Sequence, residues 1–304
     1  MKFSTSISCS VGAFAFALAS PLQAQMDAAT SEVVDAVEPS GPALWTVADE
    51  DTTIYLFGTV HALPEGIDWF SGDVADALAS SDMLVTEIQV QPGSEAAMQQ
   101  SFLAVGMLPE GESLRDLLDA DQRAEFEGAM TDLGLPLAAF DRFEPWMAAV
   151  NLSLIPLLKA GYSPESGVEM LLEKAAAGKP RGELETVAYQ MNLFDTLPID
   201  TQIAYLIEAA RQSEKIAGMM DAMVDEWVEG DPDGLAVMMN ESFSDPVLAE
   251  ALLYARNRNW AEWIDTRLDT PGTVFVAVGA GHLAGEQSVQ DALAARGIAT
   301  VRTQ

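Results

Sequence analysis

Three stretches in the first third of the chain have the apolar pattern of β-strands. Residues 44–47 and 53–57 are rich in apolar and β-branched residues, and the polar segment Ala-Asp-Glu-Asp lies between them. This pattern predicts a β-hairpin with a short loop. Residues 83–90 form a third run, short and largely apolar, which indicates a strand buried on both faces. Residues 74–78, between these strands, suit a short helix.

From about residue 94 to residue 268 the apolar residues recur mainly at helical spacing. Pro156 predicts a kink inside one of these helices. A turn at residues 179–185 leads into a short strand or loop. The predicted helices cover residues 140–159, 163–174, 199–228 and 255–268.

The chain ends with strand patterns, as it began. Residues 274–278 are apolar and β-branched, a helix is predicted at about 286–296, and a last strand at 299–302. Neither end has enough strands for a stable sheet of its own, so we expect the two ends to join. We therefore predict an α/β fold in which N- and C-terminal strands form a mixed sheet around a large helical middle region.

The first 24 residues have the pattern of a signal peptide. Lys2 precedes an apolar segment at residues 11–19 that is too short to span a membrane comfortably, and the small residue Ala24 marks a cleavage point. Residues 25–42 are small and acidic, which predicts a flexible arm. Residues 43–304 are then expected to form a single domain of a periplasmic or secreted protein without a transmembrane segment.

Composition narrows the possible functions. The chain has 47 acidic and 15 basic residues among 304, for a formal net charge of −32. Such a protein should repel nucleic acid and anionic membranes, so we expect no nucleic-acid partner. The single cysteine, Cys9, lies in the predicted signal peptide. A mature chain without cysteine has no disulfide, thiol nucleophile or cysteine-ligated zinc.

Both histidines of the chain follow a strand pattern at the same spacing. His61 ends Gly58-Thr-Val-His61, and His282 ends Gly279-Ala-Gly-His282. Open α/β sheets bind ligands at the carboxyl ends of their strands, so we expect both histidines to meet there around a metal ion or a reacting group. The alternative is two loop histidines that cap or fill a surface.

Several polar residues are candidates to complete this site. Glu87 follows a strand predicted to be buried, where an unpaired carboxylate is costly, so it calls for a metal or a cationic partner unless it faces solvent. Glu169 and Glu185 are weaker candidates in so acidic a chain. Arg256 and Asn257 lie in an Arg-Asn-Arg-Asn cluster that could stabilise an oxyanion or form a salt-bridged helix face.

Taken together, these motifs resemble the TraB/PrgY/GumN family, which is related to the Tiki-like metal-dependent proteases. The resemblance runs in order from about residue 43 to residue 304. It is carried by Leu44-Trp45, Tyr55-Leu-Phe-Gly-Thr-Val-His61, Leu84-Val-Thr-Glu87, Gly161-Tyr162, Gly167-Val-Glu169, Leu184-Glu185-Thr186 with Gln190, Arg256-Asn-Arg-Asn-Trp260 and Val278-Gly-Ala-Gly-His282-Leu-Ala-Gly285.

The resemblance implies a divalent-metal centre held by His61, Glu87 and His282. Imidazole and carboxylate ligands suit manganese, cobalt or zinc. Arg256 and Asn257 match the family's basic-polar pair best, with Arg258 and Asn259 as alternates. The resemblance also implies hydrolysis of a peptide or small-molecule substrate.

The sequence thus predicts an exported, peptidase-like, metal-dependent hydrolase. In that hypothesis Glu169 or Glu185 is a further ligand or general base, and Arg256 with Asn257 stabilises the oxyanion. One alternative is a non-catalytic periplasmic protein that binds haem or a small molecule. Another is a scaffold or regulatory protein of the cell envelope.

Overall fold

Short strands from distant parts of the chain build the sheets of this protein. The structure, a computed structural model, describes residues 41–89, 95–242 and 245–304. The predicted signal peptide, nearly all of the predicted arm and residue Val90 lie outside these ranges. The strands are β1 (Leu44–Ala48), β2 (Thr52–Thr59), β3 (Leu63–Pro64), β4 (Met83–Thr86), β5 (Tyr162–Ser163), β6 (Arg181–Glu183), β7 (Gly272–Gly279) and β8 (Val301–Arg302).

Six of these strands form one mixed sheet in the order β6-β4-β7-β2-β1-β8. The neighbours from β6 to β2 are parallel, whereas β1 pairs antiparallel with both β2 and β8. Strands β3 and β5 form a separate two-stranded ribbon. The α/β prediction is confirmed, since the two ends of the chain share one sheet. The short β6 from the helical middle region adds one edge to it.

The longest pairing in the sheet joins the two strands that precede the histidines. Strands β2 and β7 run parallel from the pair Thr52–Gly272 to the pair Thr59–Gly279. Because parallel strands end at the same edge of a sheet, the two Gly-x-x-His segments leave it side by side. This register places the candidate site.

Helices cover both faces of the sheet. One face buries Phe57 and Phe275, and the other buries Leu56 and Val276. The helices are α1 (Gly72–Ser80), α2 (Glu95–Val105), α3 (Leu114–Leu117), α4 (Ala120–Asp132), α5 (Pro145–Lys159), α6 (Val168–Ala175), α7 (Val187–Asp195), α8 (Ile199–Gln212), α9 (Ile216–Glu229), α10 (Pro232–Ser242), α11 (Pro246–Ala249), α12 (Ala255–Leu268) and α13 (Val289–Ala295).

The prediction of one long helix over residues 199–228 is wrong. Helix α8 ends at Gln212, a three-residue turn follows, and α9 begins at Ile216. Helix α8 packs on α4 and α5 in a core of the helical middle region, whereas α9 sends Trp227 into the core under the sheet. One straight helix could not serve both cores, and a continuous amphipathic pattern does not reveal such a break.

Other predicted elements are present with different ends. The helix predicted from residue 140 begins at Pro145, where the fixed φ of proline suits a first helical turn. The strand predicted over residues 83–90 ends at Thr86, whose hydroxyl donates to the carbonyl oxygen of Ile88 at 2.7 Å. Within the described residues, no helix combines the length and the apolar character that crossing a membrane requires.

Candidate functional site

The two Gly-x-x-His segments leave the sheet at neighbouring strand ends. His61 lies two residues beyond Thr59, the last residue of β2. His282 lies in a single 3₁₀ turn, Ala280–Leu283, that follows β7 directly. The side chain of His61 is 73% exposed, whereas that of His282 is only 6% exposed. The predicted meeting of the two segments is therefore present, with one imidazole open to solvent and the other buried.

Helix α6 brings a carboxylate to His61. The N–H of Val168 donates to the carbonyl oxygen of Val60 at 3.0 Å, which fixes the first turn of α6 against the histidine segment. A side chain at Gly167 would lie 2.2 Å from the carbonyl oxygen of His61, so only glycine allows this contact. Glu169 Oε1 then lies 2.6 Å from His61 Nδ1, and this hydrogen bond raises the pKa of His61 to about 9.

Glu87 lies one residue beyond β4 and is held on both oxygens. Its Oε1 accepts from the N–H of Gly279 at 2.7 Å, and its Oε2 accepts from Arg256 at 2.6 Å and from Gln190 at 2.8 Å. Burial alone would raise the pKa of Glu87, but the positive charges of Arg256 and of the protonated His61, together with the N–H of Gly279, lower it to about 2. Glu87 was expected to need a metal or a cationic partner, and Arg256 is a cationic partner.

Glu185 and Arg256 form a buried ion pair behind Glu87. Arg256 Nε donates to Glu185 Oε1 at 2.9 Å, and Arg256 Nη2 donates to Glu185 Oε2 at 2.9 Å. The indole N–H of Trp260 and the amide of Gln190 donate to Glu185 at 3.0 Å each. Two carboxylates, those of Glu87 and Glu185, therefore share a single guanidinium in a buried setting.

His282 is held by different partners. Its Nδ1 lies 2.6 Å from Asn257 Oδ1, and its Nε2 lies 3.1 Å from Arg256 Nη1. The ring packs against the indole of Trp260 with 4.3 Å between centroids. Burial lowers the pKa of His282 to about 3, and the charge of Arg256 acts in the same direction. His282 is therefore neutral at pH 7.

The three residues proposed as metal ligands converge on Gly279. A methyl group at that position would lie 3.3 Å from Glu87 Oε1, 3.5 Å from His282 Cδ2 and 3.9 Å from His61 Nε2. Glu87 Oε1 and His282 Nε2 are 3.9 Å apart. A side chain at position 279 would thus contact all three residues, most tightly Glu87. Among the described residues, no group of three or more His, Cys, Asp or Glu side chains is already arranged as a metal cluster.

Of the two Arg-Asn pairs in the sequence, only the first reaches this site. Asn257 is 2% exposed and lies behind His282, away from solvent, so it is not placed to meet an oxyanion. Arg258 pairs instead with Glu250 on the surface, and Asn259 is exposed. The first pair reaches the site because Arg256 lies on the buried face of α12, one helical turn before the buried Trp260.

Two side chains that hold the site together, those of Gln190 and Trp260, were not predicted to have a role. Gln190 bridges Glu87 and Glu185, and Trp260 donates to Glu185. Both lie within motifs that carry the family resemblance, and that was the available signal. Neither side chain titrates or binds metals readily, so the residue type alone did not select them.

Fold and site together define a mixed α/β protein whose two Gly-x-x-His turns meet at one edge of the sheet. The TraB/PrgY/gumN family model matches residues 43–302, so the chain belongs to that family. The uncharacterized protein YbaP of Escherichia coli (strain K12) is 25% identical over 254 residues, covering 83% of this chain and 92% of YbaP. An uncharacterized protein of Treponema pallidum (strain Nichols) is 24% identical over 271 residues, covering 83% of this chain and 80% of that protein. No solved structure matches the chain.

Proposed function

We propose that this protein is an exported, metal-dependent hydrolase of the peptidase type, with His61, Glu87 and His282 as the metal ligands. The observation that carries the proposal is the convergence of these three side chains on Gly279, where a methyl group would lie within 4 Å of all three. Manganese, cobalt and zinc all suit two imidazoles and one carboxylate. The substrate would be a peptide or a small molecule with a polarisable carbonyl.

The charges of the site favour a bound cation. Glu87 and Glu185 are both buried, and Arg256 is the basic side chain that they share. Glu169 already pairs with His61. A buried excess of negative charge is costly, and a divalent cation beside Glu87 would offset it. Glu169 at Nδ1 of His61 and Asn257 at Nδ1 of His282 direct Nε2 of each ring to a metal, which would have to displace the Nε2 proton of His61 and the Arg256 hydrogen bond of His282.

The side chains around the proposed metal ligands have separate roles. A metal held here would polarise the scissile carbonyl and acidify a bound water. The side chain of Glu169 is 28% exposed and that of Glu185 only 5%, so we assign the proton-accepting role to Glu169. Glu185 holds Arg256 in place. Arg256 fixes Glu87 and supplies positive charge next to the reacting group.

The test is metal content, measured by mass spectrometry on protein purified without a histidine tag. We expect about one divalent ion per chain in the wild type, and loss of both metal and hydrolysis in His61→Ala and His282→Ala. Arg258→Ala is a matched control, because this surface arginine lies two residues from Arg256 and outside the site. Wild-type protein that is metal-free and fully active would sink the proposal.

One observation favours the ligand-binding alternative. Without a cation, Arg256 Nη1 engages the lone pair of His282 Nε2, so the exposed His61, on losing its Nε2 proton, is the imidazole that an incoming ligand can reach. A haem absorbance band that shifts in His61→Ala but not in His282→Ala would support this second function. Cell fractionation tests the proposed periplasmic or secreted location, and purely cytoplasmic protein would contradict it.

A further inference from the structure

Gln287 has an unusual backbone conformation. Within residues 41–89, 95–242 and 245–304 it is the only residue other than glycine with a positive φ, at 58°. Left-handed geometry is unfavourable for an ordinary L-residue and persists where the surroundings hold it. The residue itself is exposed and lies in the turn between the His282 segment and α13. The reason for this conformation therefore lies in the main chain rather than in the side chain.

The main-chain carbonyl of Gln287 points at a buried amide. Its oxygen accepts from Asn257 Nδ2 at 2.8 Å. A carbonyl oxygen can only accept, so the NH₂ group of Asn257 must face it and Oδ1 must face the other way. That Oδ1 lies 2.6 Å from His282 Nδ1, which must then carry a proton. The hydrogen-bond directions follow from chemistry at each step.

The far side of the imidazole agrees with this assignment. Arg256 Nη1 can only donate, so His282 Nε2, 3.1 Å away, must present a lone pair. If the Asn257 amide rotated, its NH₂ group would meet Nδ1 and favour a proton on Nε2. Two donors would then oppose each other at Arg256. The Gln287 carbonyl opposes that rotation.

We propose that Gln287 and Asn257 are positioning residues that act as a relay on His282. The left-handed backbone of Gln287 aims its carbonyl, the carbonyl orients Asn257, and Asn257 holds the His282 ring with Nε2 towards Glu87. The catalytic use of this orientation rests on the proposed function. The orientation itself is a property of the metal-free protein.

The histidine content of the chain makes the relay measurable. The chain has only two histidines, so protein labelled with nitrogen-15 histidine, untagged and metal-free, gives two imidazoles in a long-range proton–nitrogen correlation spectrum. The His61→Ala variant leaves His282 alone and assigns its signals. We expect His282 to be protonated on Nδ1, with a proton that exchanges slowly because it is buried and hydrogen-bonded.

Three variants at position 287 separate backbone from side chain. Glycine and asparagine tolerate a positive φ, so Gln287→Gly and Gln287→Asn should keep the wild-type Nδ1–H signal. A β-branched residue resists that conformation, so Gln287→Val should shift the signal and speed its exchange with water by about tenfold or more. If the protein binds a metal, the metal affinity should fall about 10–100-fold in Gln287→Val and stay unchanged in Gln287→Gly and Gln287→Asn.

Each possible result either supports or contradicts the relay. A wild-type His282 protonated on Nε2 overturns the relay without any variant, and so does a Gln287→Val signal that matches the wild type. Loss of the signal in Gln287→Gly would assign the effect to the missing side chain and also contradict the proposal. If the signals behave as expected but no metal binds, the relay stands and the proposed hydrolase function fails.

Discussion

The two Gly-x-x-His turns have the same spacing and leave neighbouring parallel strands, yet they hold their histidines in opposite environments. His61 is 73% exposed and pairs with the carboxylate of Glu169, which raises the pKa of His61 to about 9. His282 is 6% exposed and pairs with the amide of Asn257, and burial lowers the pKa of His282 to about 3.

The difference shows that the motif fixes only where each imidazole is presented. Its chemistry comes from the helices that pack on each turn: α6 supplies Glu169, and α12 supplies Asn257 and Arg256. In the metal-free protein the exposed imidazole is charged and the buried one is neutral, so only His61 must lose a proton to bind a metal.

The largest effect is expected from Arg256, which serves the buried half of the site. Arg256→Ala leaves the carboxylates of Glu87 and Glu185 buried without their cation. Breaking a buried ion pair from one side costs about 3–5 kcal/mol of unfolding free energy. Urea unfolding of the metal-free protein at neutral pH measures the loss.

Arg258→Ala is the matched control for that experiment. Arg258 lies on the same helix and pairs with Glu250, with both side chains 52% exposed. An exposed ion pair contributes little, so this variant should lose less than about 1 kcal/mol. Similar losses of unfolding free energy in the two variants would show that the buried ion pairs of Arg256 stabilise the protein no more than an exposed ion pair does.

The next largest effect is the loss of stability expected when acid protonates His282. Its folded pKa of about 3 lies below the ordinary value of 6.5, so between these values the unfolded chain binds one proton more than the folded chain. Stability attributable to His282 is thus present above pH 6.5 and falls as the pH drops towards 3. Spread over that window, the loss should reach roughly 2–4 kcal/mol.

Other carboxylates also titrate in this range, so the comparison must be made against His282→Gln. The difference in unfolding free energy between wild type and His282→Gln should shrink as the solution is acidified. His61→Gln should show no such acid-side change, because His61 is already protonated in the folded state below about pH 9. A constant difference for His282→Gln would contradict a neutral, buried His282.

Much of this arrangement could be predicted from the sequence because it rests on strand patterns. The apolar runs before Gly58 and Gly279 identified two strands, and the rule that ligands bind at carboxyl ends of strands placed both histidines correctly. Glu87 was predicted from the cost of burying a lone carboxylate, and the structure gives it Arg256.

The remaining features depend on tertiary packing that local patterns do not encode. The break between α8 and α9 follows from two separate cores, although the sequence reads as one amphipathic helix. In the sequence Glu185 is one acidic residue among many, and only the fold brings it into contact with Arg256 and Trp260. The role of Gln287 lies in its backbone carbonyl, so its side chain gives no sign of it.

The smallest effect is expected when His61 loses its carboxylate partner, Glu169. The folded pKa of about 9 lies above the ordinary 6.5, so the stabilisation is complete below pH 6.5 and is lost as the pH rises through 9. Glu169→Gln should return the pKa of His61 towards its ordinary value and abolish that alkaline decline. Because the imidazole is largely exposed, the change in unfolding free energy should stay below about 1 kcal/mol.

Nitrogen-15 titration of His61 is therefore the sharper measurement, since it follows the pKa itself. Glu165→Gln is the matched control, because Glu165 lies four residues before Glu169 but its carboxylate accepts from the Ser163 hydroxyl instead of contacting His61. That variant should leave the pKa of His61 unchanged. A wild-type titration near 6.5, or equal shifts in both variants, would mean that α6 does not set the charge of His61. The two turns would then differ in burial alone.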